Sequence, residues 1–142
     1  MLPHDHALLA AAVITPAVLI AAPGTLSLAA AQVATGSAVA AVIDLDVLLL
    51  VYLKGNRQPR LQPFRNPLRI VSDFDRFMDI VQQTGLRKLV HKTHLLMSAI
   101  ILVGAYFYLP SFFLATSLGV ASHLVSDFFH WRRLGDILRH LH

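Results

Sequence analysis

Cysteine and glutamate are both absent from the 142 residues, and only 14% of the chain is charged. Without cysteine there are no disulfides, no thiolate metal sites and no thiol nucleophile. Without glutamate, every acid is one of eight aspartates. The low charge also argues against an ordinary soluble domain, in which about a quarter of the residues are charged. What fills the space is apolar: 56% of residues are hydrophobic and the mean hydropathy is +0.61.

Four long apolar runs follow, at about 6–22, 26–53, 89–109 and 111–131. A bilayer core about 30 Å thick needs about 20 apolar residues to cross it, and each run is long enough. Backbone groups in lipid must be satisfied within the element, so the runs are expected to be helices. The connections at Pro23-Gly24-Thr25 and at Pro110 are short, so the expected fold is an all-α membrane protein of four transmembrane helices in two antiparallel hairpins, a single integral membrane domain over 1–142.

The net charge of +4 is carried by two segments. Lys54, Arg57, Arg60, Arg65, Arg69, Arg76, Arg87, Lys88 and Lys92 cluster about the connection 54–88, and Arg132, Arg133 and Arg139 stand in the tail. Neither short turn has a basic residue, so the positive-inside rule puts both termini and the central loop on the cytoplasmic side of the inner membrane. No lysine or arginine precedes the first apolar run, which argues against a signal peptide ending near Ala21-Ala22-Pro23. Nucleic acid is not expected as a partner: the basic loop also holds Asp73, Asp75 and Asp79 and no known reader motif.

Within that loop, Pro59, Pro63 and Pro67 suggest an irregular basic linker. An amphipathic helix is expected over 72–83, with Ser72 as N-cap, Phe74, Phe77, Met78 and Val81 on one stripe, and Thr84-Gly85 ending it. Such a helix either lies on the inner leaflet or packs on the inner face of the bundle. The tail has a weaker stripe of Leu134, Ile137, Leu138 and Leu141.

The informative residues are polar ones in apolar surroundings. An aspartate at a membrane helix centre costs about 2.5–3.5 kcal/mol on insertion scales, so such groups usually face a bundle interior. His6, Asp44, His94 and Asp127 each stand about 16–20 residues from the nearer short turn, which is about 24–30 Å at about 1.5 Å per residue. His123 lies one turn deeper and shares a helix face with Asp127, as His91 shares one with His94. Asp44 and Asp46 are about 200° apart on a regular helix, so either the helix unwinds there or only one of them faces the site. Gly36, Ser37, Ala38, Ala40 and Ala41 permit close helix approach just outside that level.

Imidazoles and carboxylates without thiolates suit a divalent ion such as Zn²⁺ or Mn²⁺, and a metal would offset the repulsion among the aspartates. The expected ligands are His6, Asp44, His94, His123 and Asp127, with Asp46 or His91 as general base. His4, His130, His140 and His142 are read as boundary residues.

These stretches resemble the YdjM-like family of small inner-membrane proteins, described as metal-dependent hydrolases. The family pattern has an early His on the first helix, a "PDxD" segment, an "HRxxTHS"-like segment and a late "HLxxD". The matching stretches are "DHALLAAA" with His6, "VIDLDV" with Asp44 and Asp46, "HKTHLLMS" with His91 and His94, and "SHLVSDFF" with His123 and Asp127. Ile43 replaces the proline, Val47 the usual His after the second Asp, and His91 and His94 are closer than the family's histidines. The resemblance implies a membrane-embedded, metal-dependent hydrolase. The position of the site near the cytoplasmic leaflet suggests a lipid phosphoester or lipid-linked substrate, with membrane lipid as its surroundings and a homo-oligomer left open. Two other classes compete with it: a b-type haem protein using His94 and His123, and a non-catalytic membrane subunit or small ion transporter.

Overall fold

The computed structural model describes residues 3–21 and 24–140, and side chains for 4–21 and 24–129. The proposed cleavage point at Ala22–Pro23 therefore lies outside the described residues. So do the side chains of His130, His140, His142 and the tail stripe from Leu134 to Leu141. Seven α-helices follow in order: α1 (Pro3–Ala21), α2 (Leu26–Val42), α3 (Leu45–Gly55), α4 (Pro67–Ser72), α5 (Phe74–Gln83), α6 (Leu86–Tyr108) and α7 (Phe113–His140). Short 3-10 turns at Pro59–Arg65 and Pro110–Phe112 complete the element order, and there is no strand among the described residues.

Four segments are long and apolar enough to cross a membrane: His4–Ala21, Leu26–Gly55, Leu86–Tyr108 and Pro110–Phe129. Their starts have local causes. Thr25 adopts extended backbone and its hydroxyl accepts the Leu28 N–H at 3.3 Å, capping α2. Proline sits at the first turn of the Pro110–Phe112 segment, where a missing N–H costs nothing.

Helices α1, α2 and α7 pack on one another, α6 packs on α7, and α3 packs on α6. The α1/α2/α7 seam is built from Ala10, Ile14, Val18, Ala29, Ala40 and Ala115. Its small residues let backbones come close. A Cβ at Gly119 would collide with the Gly36 carbonyl, and one at Gly36 with the Ala115 carbonyl. Only hydrogen fits at either place.

The second apolar run is not one helix. It breaks at Ile43–Asp44, where Asp46 N–H bonds to Ile43 O at 3.3 Å and Val47 N–H to Asp44 O at 3.1 Å. These three-residue bonds tighten the chain to about 3.0 residues per turn. At about 120° per residue, Asp44 and Asp46 stand about 120° apart instead of about 160°, close enough to serve one region.

The central connection is more ordered than an irregular linker. Asn66 caps α4 by accepting the Leu68 N–H at 3.0 Å, with Pro67 at its first position. Ser72 ends α4 rather than capping α5, because α4 consumes 67–72; the N-cap position of α5 is Asp73, with no side-chain cap bond. Gly85, at φ 71°, takes the left-handed conformation between α5 and α6, where the Thr84-Gly85 stop was expected. The stripe on α5 turns inward. Phe77 and Val81 are buried with Val51, Leu61, Phe64, Ile70, Leu86 and Val90, and Phe74 and Met78 pack against them. This is the arrangement of a helix packed on its own bundle.

Candidate metal centre

Every helix long enough to cross a membrane contributes to one polar cluster. From α1 comes His6, from the α2–α3 break Asp44, from α6 His94, and from α7 His123 and Asp127. His6, His94 and His123 are 1%, 4% and 0% exposed. His6 Nε2 lies 3.3 Å from Asp127 Oδ1 and 3.8 Å from Asp44 Oδ2. His123 Nε2 lies 3.6 Å from Asp127 Oδ2 and 3.8 Å from Asp44 Oδ1. His94 Nε2 makes the corresponding approaches at 3.5 Å and 3.6 Å. The His6 and His123 rings are 4.1 Å apart between centroids.

All three imidazoles are oriented by their other nitrogen. His123 Nδ1–H donates to the Ala40 carbonyl at 2.7 Å. The Ser126 hydroxyl donates to the His123 carbonyl at 2.9 Å, so its oxygen is left to accept His6 Nδ1–H at 2.8 Å. His94 Nδ1–H donates to Asp46 Oδ2 at 2.7 Å, and Thr93 Oγ1 donates to the same carboxylate oxygen. Occupying Nδ1 in this way leaves a lone pair on each Nε2 of the neutral ring, and all three lone pairs face the carboxylates. Outer hydrogen bonds of this kind are what metal-ligating histidines use to fix tautomer and angle.

The central atoms are not satisfied by one another. His6 Nε2, His123 Nε2 and Asp44 Oδ2 are buried and have no hydrogen-bond partner. Buried polar atoms without partners are costly, and three meeting at one place require an explanation. One donor atom from each of His6, Asp44, His123 and Asp127 lies within 4.8 Å of the other three. Ligands about 2.0–2.2 Å from a tetrahedral ion stand about 3.3–3.6 Å apart. The Asp127 separations, 3.3 and 3.6 Å, match that edge, and the Asp44 separations, both 3.8 Å, are slightly longer. The chemistry of the donors therefore fits a divalent cation.

The remaining expected residues fall elsewhere. Asp46 is buried and reaches the cluster only through His94. His91 is exposed on α6, its Nδ1 3.2 Å from the Arg87 carbonyl, and is not in the group of four. His94 adjoins the group of four without belonging to it. Thr93, Ser126 and the Ala40 carbonyl were not anticipated as orienting groups. A hydroxyl three residues after His123 was the available signal for Ser126; a backbone carbonyl has none. The His94 and His123 rings are 5.2 Å apart between centroids, closer than two imidazoles on opposite faces of a haem iron would stand.

Comparison with protein families, characterised proteins and solved structures finds no match. The functional reading therefore rests on the chemistry of the cluster.

Proposed function

We propose that the protein is a membrane-embedded, metal-dependent hydrolase related to the YdjM-like proteins its motifs resemble. The observation that carries this reading is the set of buried, unpartnered ligand atoms His6 Nε2, His123 Nε2 and Asp44 Oδ2, converging with Asp127 from three separate parts of the chain. In the proposed topology, α1–α2 and α6–α7 form two antiparallel hairpins. Both termini and the α3–α6 connection face the cytoplasm, and the cluster lies near that face of the inner membrane. The asymmetry of Lys and Arg supports this orientation.

His6, Asp44, His123 and Asp127 would hold the ion, Zn²⁺ or Mn²⁺, which when bound would supply an activated water near neutral pH. His94 is the group placed to take the proton. Its Nε2 faces both carboxylates, while the buried Asp46 holds Nδ1–H and stabilises the imidazolium that forms. In hydrolysis, the water oxygen bonds to the acyl carbon or phosphorus as the bond to the departing alkoxide breaks. The proton held by His94 then passes to that alkoxide. Asp46 acts through His94, and His91 is left outside the reaction.

The experiment is a comparison of ester and phosphoester hydrolysis by the purified protein in nanodiscs before and after chelation. Activity should vanish with the metal and return with Zn²⁺ or Mn²⁺. His94→Gln should lose about 10²–10⁴ in kcat while keeping its metal. Hydrolysis indifferent to chelation, or unaffected in His94→Gln, would contradict the mechanism.

A further inference from the structure

Beside the cluster is a cavity that holding an ion and activating water do not explain. It has a volume of about 250 Å³ and lies among α3, α4, α5 and α6. Among the described residues its only ionisable lining groups are Asp44, His94 and Asp127; His94 is 3.6 Å from Asp44 and 3.5 Å from Asp127, so the three form one polar end. The rest of the wall is apolar, including Leu48, Ile70, Phe77, Met78 and Val90. Ile70, Phe77 and Val90 belong to the buried core under α5, so this wall is a built part of the fold.

The mouth has the same character. Leu45 on α3 and Val71 on α4 both line the cavity and are 53% and 55% exposed. Leu49 and Leu68, on the same two helices, are exposed as well. A ligand arriving from water would cross a greasy threshold, whereas one arriving from lipid would not. Apolar cavities bind water poorly and take apolar guests. The volume equals that of about eight waters at about 30 Å³ each, enough for one chain of about eight to ten carbons. One such chain already fills that volume.

We propose that this cavity seats the apolar chain of a single-chain membrane amphiphile. The chain enters between Leu45 and Val71, and its polar, hydrolysable head group rests against Asp44, His94 and Asp127. The assignment of the head group rests on the hydrolytic reading above; the seat for the chain does not. The cavity then acts as a ruler for chain length, and α5 supplies one side of it through Phe77 and Met78.

The test uses n-alkylphosphonates of about four to sixteen carbons, whose C–P bond is not an ester link. They are titrated against metal-loaded full-length protein in amphipol, with protein-free amphipol as blank and affinity referred to free aqueous probe. Affinity should rise about fourfold per methylene, up to about eight to ten carbons, and then level off. Met78→Trp should move the plateau to shorter chains and Met78→Ala to longer ones, opposite shifts that general loss of folding cannot produce. An affinity independent of chain length, or a plateau unmoved by both variants, overturns the proposal. Metal content on the same samples separates the two readings. Bound metal without chain-length dependence removes the chain seat alone, and chain-length dependence without metal supports the seat and removes the hydrolytic centre.

Discussion

At the scale of single residues, each imidazole is held by a different acceptor: a backbone carbonyl, a hydroxyl and a carboxylate. Only the last adds charge, and Asp46 is therefore the residue whose loss should be most selective. Asp46→Asn can offer His94 Nδ1 a donor in place of an acceptor and so favour the wrong tautomer. We expect kcat to fall by about 10²–10⁴ with metal stoichiometry and KM little changed, and the acid limb of the pH–rate profile to move. Equal losses of metal and activity would make Asp46 a structural support instead. Much of this was legible beforehand: the spacing of His123 and Asp127, and the common depth of His6, Asp44 and His94, pointed to one site. The role of Asp46 was not legible, because regular helix geometry turns it away from Asp44. The Ala40 carbonyl was invisible for a simpler reason, since every residue has one.

At the scale of elements, two features set the site. The first is the break at Ile43–Asp44, which neither glycine nor proline marks and which the spacing of Asp44 and Asp46 raised only as one of two alternatives. The second is the contact of α2 with α7, where Gly36 and Gly119 meet backbone to backbone. That approach also brings the Ala40 carbonyl within reach of His123. The stripe of small residues in α2 announced half of this contact; Gly119 alone in α7 did not. Gly119→Ala should lower the thermal midpoint in detergent by an amount corresponding to about 1–3 kcal/mol, since backbone must move to admit the methyl. Gly104→Ala meets nothing within 4 Å and should instead be neutral or stabilising by up to about 1 kcal/mol. Similar midpoints for the two variants would show that the close approach carries no energetic weight. The reading of 72–83 as amphipathic was sound in its stripe, but its start was misplaced by Ser72. Asn66-Pro67 opens a separate helix at the end of the stretch read as linker, and that stretch itself holds the 3-10 segment Pro59–Arg65.

At the scale of the whole molecule, the helices present apolar faces outward and turn their polar side chains inward. Leu95, Leu96, Ile100, Val103 and Phe107 on α6 are all exposed, while His94 and Ser98 on the same helix are buried. A soluble protein would show the reverse, and lipid is the medium that suits such a surface. The absence of native cysteine makes orientation easy to measure. A single cysteine at Ser111 should be labelled from outside intact cells by an impermeant maleimide, and one at Arg57 only after permeabilisation; the opposite pattern would invert the topology. The four helices are joined at one level by a cluster whose central atoms satisfy one another poorly, and a bound cation is the proposed remedy. Metal content of the purified protein tests this most directly. The account predicts at least one divalent ion per folded chain, lost in Asp127→Asn and in His6→Gln while the helical circular-dichroism spectrum is kept. A folded wild-type protein that binds no Zn²⁺, Mn²⁺, Fe²⁺ or Ni²⁺ on titration would contradict it.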